Sequence, residues 1–179
     1  IRSGDVIPKI IDVPLKSSNF SMPSSCSSCN ESLCWNDTDV ELVCNNSICP
    51  EKVKSENEDF FKILGVEEIG EGVIAQLYES GYEDVSSILG MLISDFEALD
   101  NFKNKKATKI YNEIHSNLSN IPVYKLQHAS NLFKGLGSRK LALLERYDSA
   151  DKKPQISEVT AIDGFSTKTA KVYLDAFDD

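Results

Sequence analysis

Apolar residues recur at helical spacing along most of the chain after residue 60, and each run predicts a helix with one buried face. The stripes are Val73, Ile74, Leu77 and Tyr78; Ile88, Leu89, Leu92 and Ile93; Ala107, Ile110, Tyr111, Ile114 and Leu118; Leu141, Leu144 and Tyr147; and Ala170, Tyr173 and Phe177. The third has apolar residues at i, i+3, i+4 and i+7, the pattern of an amphipathic helix. No strand pattern of comparable strength follows residue 50. The C-terminal two-thirds is therefore predicted to be all-helical.

Two local signals add boundaries to this picture. Ser94 and Glu97 have capping-box spacing, which predicts the start of a short helix carrying Phe96 and Leu99. At the other end of the chain, the β-branched run at residues 6–11 predicts a strand. Pro8 inside it indicates an edge or interrupted strand. One strand cannot form a sheet, so we expect the chain to begin inside a β domain.

Two close pairs of cysteines stand at the ends of a short polar loop. Cys26 and Cys29 form the first pair, and Cys44 and Cys49 form the second. Each pair can supply two thiolates from a tight turn, which is how tetrahedral structural zinc is bound. Val40, Leu42 and Val43 lead into the second pair and predict a short hairpin. Four cysteine ligands leave no open coordination position, so a structural zinc finger is predicted and zinc catalysis is not.

The fifth cysteine, Cys34, leaves an alternative open. Two disulfides and one free thiol would suit a secreted protein, although an odd number of cysteines argues against a disulfide framework. Using Cys34 as a ligand would give an awkward spacing. We expect Cys34, beside Trp35, to be a small buried or half-buried thiol.

The charge is unevenly distributed along the chain. The formal net charge is −9, but residues 1–100 carry −13 and residues 101–179 carry +4. Such asymmetry suits a DNA-facing basic half and an acidic half facing solvent or a partner. An ordinary solvated acidic surface explains the acidic stretch equally well. No apolar run approaches the length of a membrane span.

A related turn precedes four of the helices, at intervals of roughly 30 residues, which is typical of repeated supersecondary units. Each turn has an apolar residue flanked by glycine or other small residues, followed by a polar or basic residue and a helix. This is the helix–hairpin–helix pattern. Glycines permit positive φ in the turn, and the free N–H groups at the start of the second helix can bind phosphate. Such a contact reads the backbone of DNA and not its sequence.

The four turns are not equivalent. The third, from Gly135 to Lys140, is closest to the ideal pattern, and the fourth has Ser166 at its second small position. In the first, Glu71 would repel phosphate, so a purely structural hairpin is an alternative. The second has Asn101 and Lys103 in place of glycines, and its lysines are expected to compensate by charge. The predicted DNA contacts are Gly70, Gly72, Lys103, Lys105, Gly135, Gly137, Ser138, Lys140, Gly164, Ser166 and Lys168.

Catalytic motifs are missing from the sequence. There is no nucleophile–base constellation, no phosphate-binding P-loop and no Lys-x-Asp-Gly nucleotidyltransferase motif. His115 and His128 have no ligand-like spacing to each other or to the cysteines. We therefore assign no catalytic or cofactor-binding residue to this chain.

The order of these parts resembles the C-terminal portion of bacterial-type NAD-dependent DNA ligases. The resemblance rests on Arg-Ser-Gly-Asp-Val-Ile-Pro at residues 2–8, the four cysteines ending in Cys49-Pro50, an Ile121-Pro122 segment before the third turn, and the four hairpins. It covers essentially the whole chain. In that family residues 2–8 would close an OB-fold domain. The adenylation domain with its lysine nucleophile, most of the OB fold and the usual C-terminal BRCT domain have no counterpart here.

The resemblance implies a mainly α protein with three segments. Residues 1–22 would be the last OB-fold strand and a linker, residues 23–55 a four-cysteine zinc finger, and residues 56–179 a helix–hairpin–helix domain. The chain would clamp nicked double-stranded DNA in the cytoplasm of a bacterium or a virus-infected cell, with no membrane contact. An adenylation domain on the same or another chain would use NAD and magnesium to seal the nick, and this chain alone would be inactive. The alternatives are a non-catalytic DNA-binding repair protein with a structural zinc site and a zinc-containing protein-interaction module.

Overall fold

The computed structural model describes residues 12, 14–15, 21–148 and 153–176. The strand predicted at residues 6–11, the OB-fold segment at residues 2–8 and Phe177 lie outside the described residues. The chain divides into two compact units, Ile1–Asn46 and Ser47–Asp179. Within the described residues, no helix combines the length and the apolar character needed to cross a membrane.

A two-stranded antiparallel hairpin forms the centre of the first unit. β1 (Leu33–Trp35) pairs with β2 (Leu42–Cys44), and Leu33 lies opposite Cys44. Asn36 organises the connecting loop, because its Oδ1 accepts the backbone N–H groups of Val40 at 3.1 Å and Glu41 at 3.3 Å. The predicted hairpin is confirmed, but Val40 lies in the loop and is exposed.

The second unit is helical in its described residues, as predicted. Its helices are α1 (Pro50–Leu64), α2 (Glu71–Glu79), α3 (Val85–Leu89), α4 (Ile93–Glu97), α5 (Asn104–Asn120), α6 (Val123–Ala129), α7 (Ser138–Ala142), α8 (Glu145–Asp148), α9 (Ile156–Thr160) and α10 (Thr167–Asp175). The predicted stripes on α2, α5 and α10 are confirmed, since their central residues are buried. The stripe that includes Leu141 and Leu144 spans two short helices, α7 and α8.

These helices pack around two separate apolar cores. The first is built by α1 to α5 and contains buried residues from Phe60 to Ala107, Ile110 and Ile114. The second is built by α7, α9, α10 and their preceding turns, and Tyr173 is its largest fully buried side chain. Helix α6 serves both, because Leu126 packs on the first core and Tyr124 on the second. The four predicted turns are therefore grouped two to each core.

Helix α1 begins well before residue 60, where the apolar pattern places the first helix. Its buried face includes Asn57, which interrupts an otherwise apolar stripe of Phe60, Phe61 and Leu64. Burying an amide is tolerable only if its polar atoms find partners, and Asn57 Nδ2 donates to the carbonyl oxygen of Glu83 at 2.8 Å. The helix starts at Pro50, inside the range predicted for the zinc finger.

The region around Gly90 differs from the prediction. The stripe from Ile88 to Ile93 is not one helix face, because α3 ends at Leu89 and α4 begins after Leu92, which is 61% exposed. Ser94 does not cap α4. Instead, Asp95 accepts the backbone N–H of Leu92 at 2.8 Å, so the helix begins earlier than Ser94 and Glu97 suggested.

Candidate metal centre and helix-start turns

Local backbone geometry positions each of the four predicted zinc ligands. Cys26 and Cys29 lie in a turn closed by the hydrogen bond from the Asn30 N–H to the Cys26 carbonyl oxygen at 2.9 Å. Asn30 has φ 60, a left-handed conformation that asparagine tolerates. Cys44 is the last residue of β2, and Cys49 is the residue before α1.

The four sulphur atoms lie close enough to one another to share one metal ion. The Sγ atoms of Cys26, Cys29, Cys44 and Cys49 all lie within 4.8 Å of one another, and those of Cys29 and Cys44 are 3.5 Å apart. Zinc–sulphur bonds of about 2.3 Å in a regular tetrahedron place the sulphurs about 3.8 Å apart. All five cysteines of the chain are free of disulfides, so the disulfide alternative is wrong. The cluster can hold a metal ion, and a soft divalent ion such as zinc suits four thiolates.

The pKa values of two of these thiols are shifted in opposite directions. A backbone hydrogen bond from Glu31, followed by hydrogen bonds from Asn46 and neighbouring thiols, lowers the pKa of Cys29 to about 7 against the effect of burial. The pKa of Cys44 is raised to about 12; a backbone hydrogen bond from Asn46 acts to lower it, but burial and the neighbouring sulphurs of Cys29 and Cys26 outweigh that effect. The Cys29 thiolate therefore forms more readily than that of Cys44, and the neighbouring sulphurs oppose a negative charge on Cys44. A divalent cation reverses this opposition.

Cys34 stands outside the cluster. Its thiol is half-buried, accepts Asn45 Nδ2 at 2.9 Å and donates weakly to the Val43 carbonyl oxygen at 3.7 Å. The prediction of a half-buried structural thiol is confirmed.

Three of the four predicted turns share one backbone geometry. They are the Asn101 turn (residues 99–103), the Gly135 turn (residues 133–137) and the Gly164 turn (residues 162–166). In each, the N–H of the fourth residue donates to the carbonyl oxygen of the first, at 3.2, 3.0 and 3.1 Å respectively. The third residue has positive φ, with values of 65 at Asn101, 80 at Gly135 and 82 at Gly164. The first and fourth residues are buried, so the turn is anchored from below while its third residue is exposed.

The second small position of these turns does not require glycine. Gly137 has φ −73, Ser166 has φ −88 and Lys103 has φ −106, and all three are the N-caps of their helices. Lys103 stands where the pattern has a glycine, and it fits there because the N-cap is an extended conformation open to any residue. Only the third position is selective, and there Asn101 replaces glycine without leaving the left-handed region.

The Gly70 turn (residues 66–70) differs from the other three. It keeps two buried apolar residues, Val66 and Ile69, and Gly70 is the N-cap of α2. Glu68, at the third position, is not among the positive-φ residues of the described chain. Gly72 lies inside α2 and belongs to the helix, not to the turn. Glu68 also pairs with Lys109 Nζ at 2.6 Å, and this hydrogen bond lowers the pKa of Glu68 and raises that of Lys109.

Lysine side chains on α5 and α7 contact residues of these turns. Lys109 on α5 reaches the Gly70 turn through Glu68. Lys140 on α7 lies 5.8 Å from the centroid of the Phe165 ring in the Gly164 turn, and Lys106 lies 4.0 Å from the ring of Phe102 in its own turn. Cations over aromatic rings are held by the ring quadrupole.

The predicted contact residues lie in the four turns or in the first helical turn that follows each of them, and most of them are exposed. Ser138 and Lys140 lie on α7 and are half-buried. Gly70 is also half-buried, whereas the remaining residues of the set are exposed: Gly72, Lys103, Lys105, Gly135, Gly137, Gly164, Ser166 and Lys168. Ser166 differs from Gly137 in capping its own helix, because its Oγ accepts the Thr169 N–H at 3.2 Å. The N–H groups of a helix start have no partner within the helix, and a glycine N-cap leaves them without a side-chain acceptor from the cap residue.

Fold and site together define a mainly helical protein with a cluster of four cysteines that can hold a metal ion, and with a repeated turn at the start of several helices. Comparison with known proteins then gives the particular resemblance, which is to DNA ligases. The chain is 34% identical over 176 residues to the DNA ligase of Desulfotalea psychrophila (strain LSv54 / DSM 12343), a match that covers 94% of this chain and 26% of that protein. It is 28% identical over 188 residues to the DNA ligase of Acanthamoeba polyphaga mimivirus, covering 97% of this chain and 28% of the relative.

The predicted resemblance to DNA ligases is thus confirmed over nearly the whole chain. The chain spans about a quarter of the length of these curated relatives. No family model matches it.

Proposed function

We propose that this chain is the DNA-binding portion of an NAD-dependent DNA ligase and that it holds nicked duplex DNA through sequence-independent contacts to phosphates. The observation that carries the proposal is the repetition of one anchored turn at three helix starts, in a chain similar to DNA ligases over more than nine-tenths of its length. Under this proposal the four turns are helix–hairpin–helix motifs, two to each apolar core.

The chemistry of the turns supports phosphate as their ligand. In each turn a small or polar residue is exposed between two buried apolar residues, and the first N–H groups of the following helix lie at the surface. The surface at Gly135, Gly137 and Gly164 is open, because a Cβ added there would meet no atom within 4 Å outside the adjacent residues. Contacts of this kind fix the duplex without reading its bases.

The charged residues near each turn indicate how strongly it should bind phosphate. The Gly135 turn has Arg139 and Lys140 on the helix that follows it, and the Asn101 turn is followed by Lys103, Lys105 and Lys106. We expect these two to contribute most. The Gly164 turn contributes Lys168, but Ser166 already occupies one N–H. The Gly70 turn is flanked by glutamates, and Lys109 is engaged by Glu68, so it should contribute least.

The four-cysteine cluster is proposed to bind a structural zinc ion. Cys26, Cys29, Cys44 and Cys49 would hold it, and bound zinc would supply folding free energy to a segment with a small apolar core. Support for this role comes from the turn closed at Asn30 and the end of β2, which bring the four sulphurs within 4.8 Å of one another.

Catalysis of nick sealing would require the adenylation domain, NAD and magnesium, which we assign to the remainder of the protein. The present chain would act by positioning the nicked ends, which lowers the entropic barrier of the reaction. The same proposal assigns residues 1–22 to the end of an OB fold, residues 23–55 to the zinc finger and residues 56–179 to the DNA-binding domain.

A pair of glycine substitutions tests the phosphate contact separately from stability. Gly135 and Gly81 both have positive φ, 80 and 91, and neither has an atom within 4 Å of its ideal Cβ. Gly81 follows α2 and lies outside the four turns. Gly135→Ala and Gly81→Ala should therefore destabilise the fold similarly, while only Gly135→Ala weakens the binding of a fluorescent nicked duplex, by roughly tenfold. Equal affinity of the two variants for the duplex would refute the phosphate assignment.

A further inference from the structure

An apolar groove lies on the helical unit away from the four turns. It has a volume of 640 Å³ and is bounded by α1, α3, the C-terminal end of α5, and α6. Its apolar lining includes the half-buried side chains of Val53, Val85, Leu89, Leu118 and Leu126, with Phe60 at its base. This volume is within the range of ligand-binding clefts. No lining residue belongs to the Gly70, Asn101, Gly135 or Gly164 turns.

Hydrogen bonds fix the walls of this groove relative to one another. Asn57 joins α1 to the segment before α3 through the Glu83 carbonyl oxygen at 2.8 Å. Asn131, just after α6, donates to Glu56 Oε1 on α1 at 3.2 Å. Asp84 fixes the start of α3 by accepting the Ser87 N–H at 2.8 Å. A groove whose walls are fixed in this way is preformed, so a ligand need not supply the free energy to open it.

The charge of the groove defines its occupant. Among the described residues that line it, the charged ones are Glu56 and Asp84, both exposed carboxylates at the margin of the apolar surface. Two carboxylates repel a phosphate backbone and attract cationic side chains. A surface of apolar pockets between helices suits an amphipathic peptide, whose apolar side chains enter the groove while its polar side chains stay at the edge.

We propose that this groove binds a short amphipathic segment of a partner protein, one that presents apolar side chains flanked by lysine or arginine. The groove would then provide a docking point distinct from the helix-start turns. This proposal does not depend on the DNA-binding proposal, since the two surfaces share no residue.

The test uses the full chain and two synthetic helical peptides of about 12 residues, roughly three helical turns. One peptide has a leucine face flanked by lysines, and its twin has glutamates in place of the lysines. Backbone amide chemical shifts, measured by NMR during titration, locate each peptide. The lysine peptide should shift amides of α1, α3 and α6 around the groove and saturate below about 1 mM, whereas the glutamate twin should not.

Two variants probe the groove, and a third is the matched control. Glu56→Lys reverses one carboxylate, and Leu118→Lys places a cation on the apolar wall; each should weaken binding of the lysine peptide by roughly tenfold or more. Leu143→Lys makes the same change at a 52% exposed leucine outside the groove and should leave binding unchanged. Circular dichroism checks that each variant is folded, and if one groove variant is unfolded the other decides the test.

Several results would overturn the proposal. These are the absence of saturable binding, equal binding of both peptides, shifts spread over the acidic surface without the groove amides, or affinity unchanged by both groove variants. Shifts of the groove amides on addition of a nicked duplex would also contradict it, because they would make nucleic acid the occupant.

Discussion

The same substitution, glycine to alanine, should change stability in opposite directions at Gly135 and Gly72. Gly135 has φ +80, where an L-residue with a Cβ atom is strained by roughly 1–2 kcal/mol. The space around its ideal Cβ is open to 4 Å, so the cost is conformational and no clash adds to it. For a chain of this size, a loss of about 1–2 kcal/mol lowers the midpoint of thermal unfolding by about 2–8 °C.

Gly72 lies in the first turn of α2 without positive φ, and the space around it is equally open. Alanine there restricts the unfolded chain and favours the helix, so Gly72→Ala should stabilise by up to about 1 kcal/mol. Gly135→Asn should cost less than Gly135→Ala, because Asn101 occupies the same turn position with φ 65. Urea and thermal unfolding of the three variants measure these differences. The reasoning fails if Gly135→Ala is neutral or if the two alanine variants shift stability with the same sign.

Three further predictions concern the metal, the second core and one ion pair. Elemental analysis should find one zinc ion per chain, a chelator should abolish the hairpin signals in NMR spectra, and Cys34→Ser should keep the zinc; loss of zinc in that variant would place Cys34 among the ligands. Leu141→Ala should lower the free energy of unfolding by about 2–5 kcal/mol, because Leu141 is fully buried. Leu143→Ala, at a 52% exposed site, should change it by no more than about 0.5 kcal/mol. Equal losses in the two variants would contradict the packing. Lys109 lowers the pKa of Glu68 from 4.5, so the ion pair should stabilise the fold slightly above about pH 5 and lose this effect as the pH falls through the lowered pKa. Glu68→Gln should therefore be slightly less stable than wild type above about pH 5 and equally stable in acid. A difference in stability that grows in acid would contradict the pair. Lys109, whose pKa is raised from 10.5, should maintain the pair until alkaline pH exceeds that raised value.

The sequence predicted the elements that follow a simple periodicity and failed where polar residues take apolar positions. The stripe on α5 was readable because Ala107, Ile110 and Ile114 face one core. Helix α1 was largely missed because its buried face contains Asn57, whose partner is the Glu83 backbone, 26 residues away in sequence. Pro50 after a cysteine pair was a local signal for the helix start that could have been used.

Turn geometry was also only partly predictable. Glycines in the turn predict positive φ, and the structure has it at Gly135 and Gly164, with Asn101 at the same turn position in the second turn. The second position was misjudged, because glycine at residue 137 suggested a conformational requirement that the extended N-cap does not impose. The break between α3 and α4 depends on Asp95 capping the Leu92 N–H, and the competing spacing of Ser94 and Glu97 concealed it.

The four-cysteine cluster was predictable because cysteine spacing alone restricts the geometry. Cys34 was separated from the ligands by its spacing, and its hydrogen bond with Asn45 now explains its place. The apolar groove could not be predicted, since it is formed by four helices whose packing depends on contacts distant in sequence, such as that between Asn131 and Glu56.

The salt dependence of binding to a nicked duplex tests the proposed function most directly. Each lysine–phosphate contact should contribute about −0.9 to the slope of log affinity against log salt concentration. Contacts from Lys103, Lys105, Lys140 and Lys168 therefore predict a slope of about −3.6, independent of DNA sequence. Replacing Lys103 and Lys105 with glutamine should reduce its magnitude by about 2. A slope near zero, or one that the double variant leaves unchanged, would contradict the account.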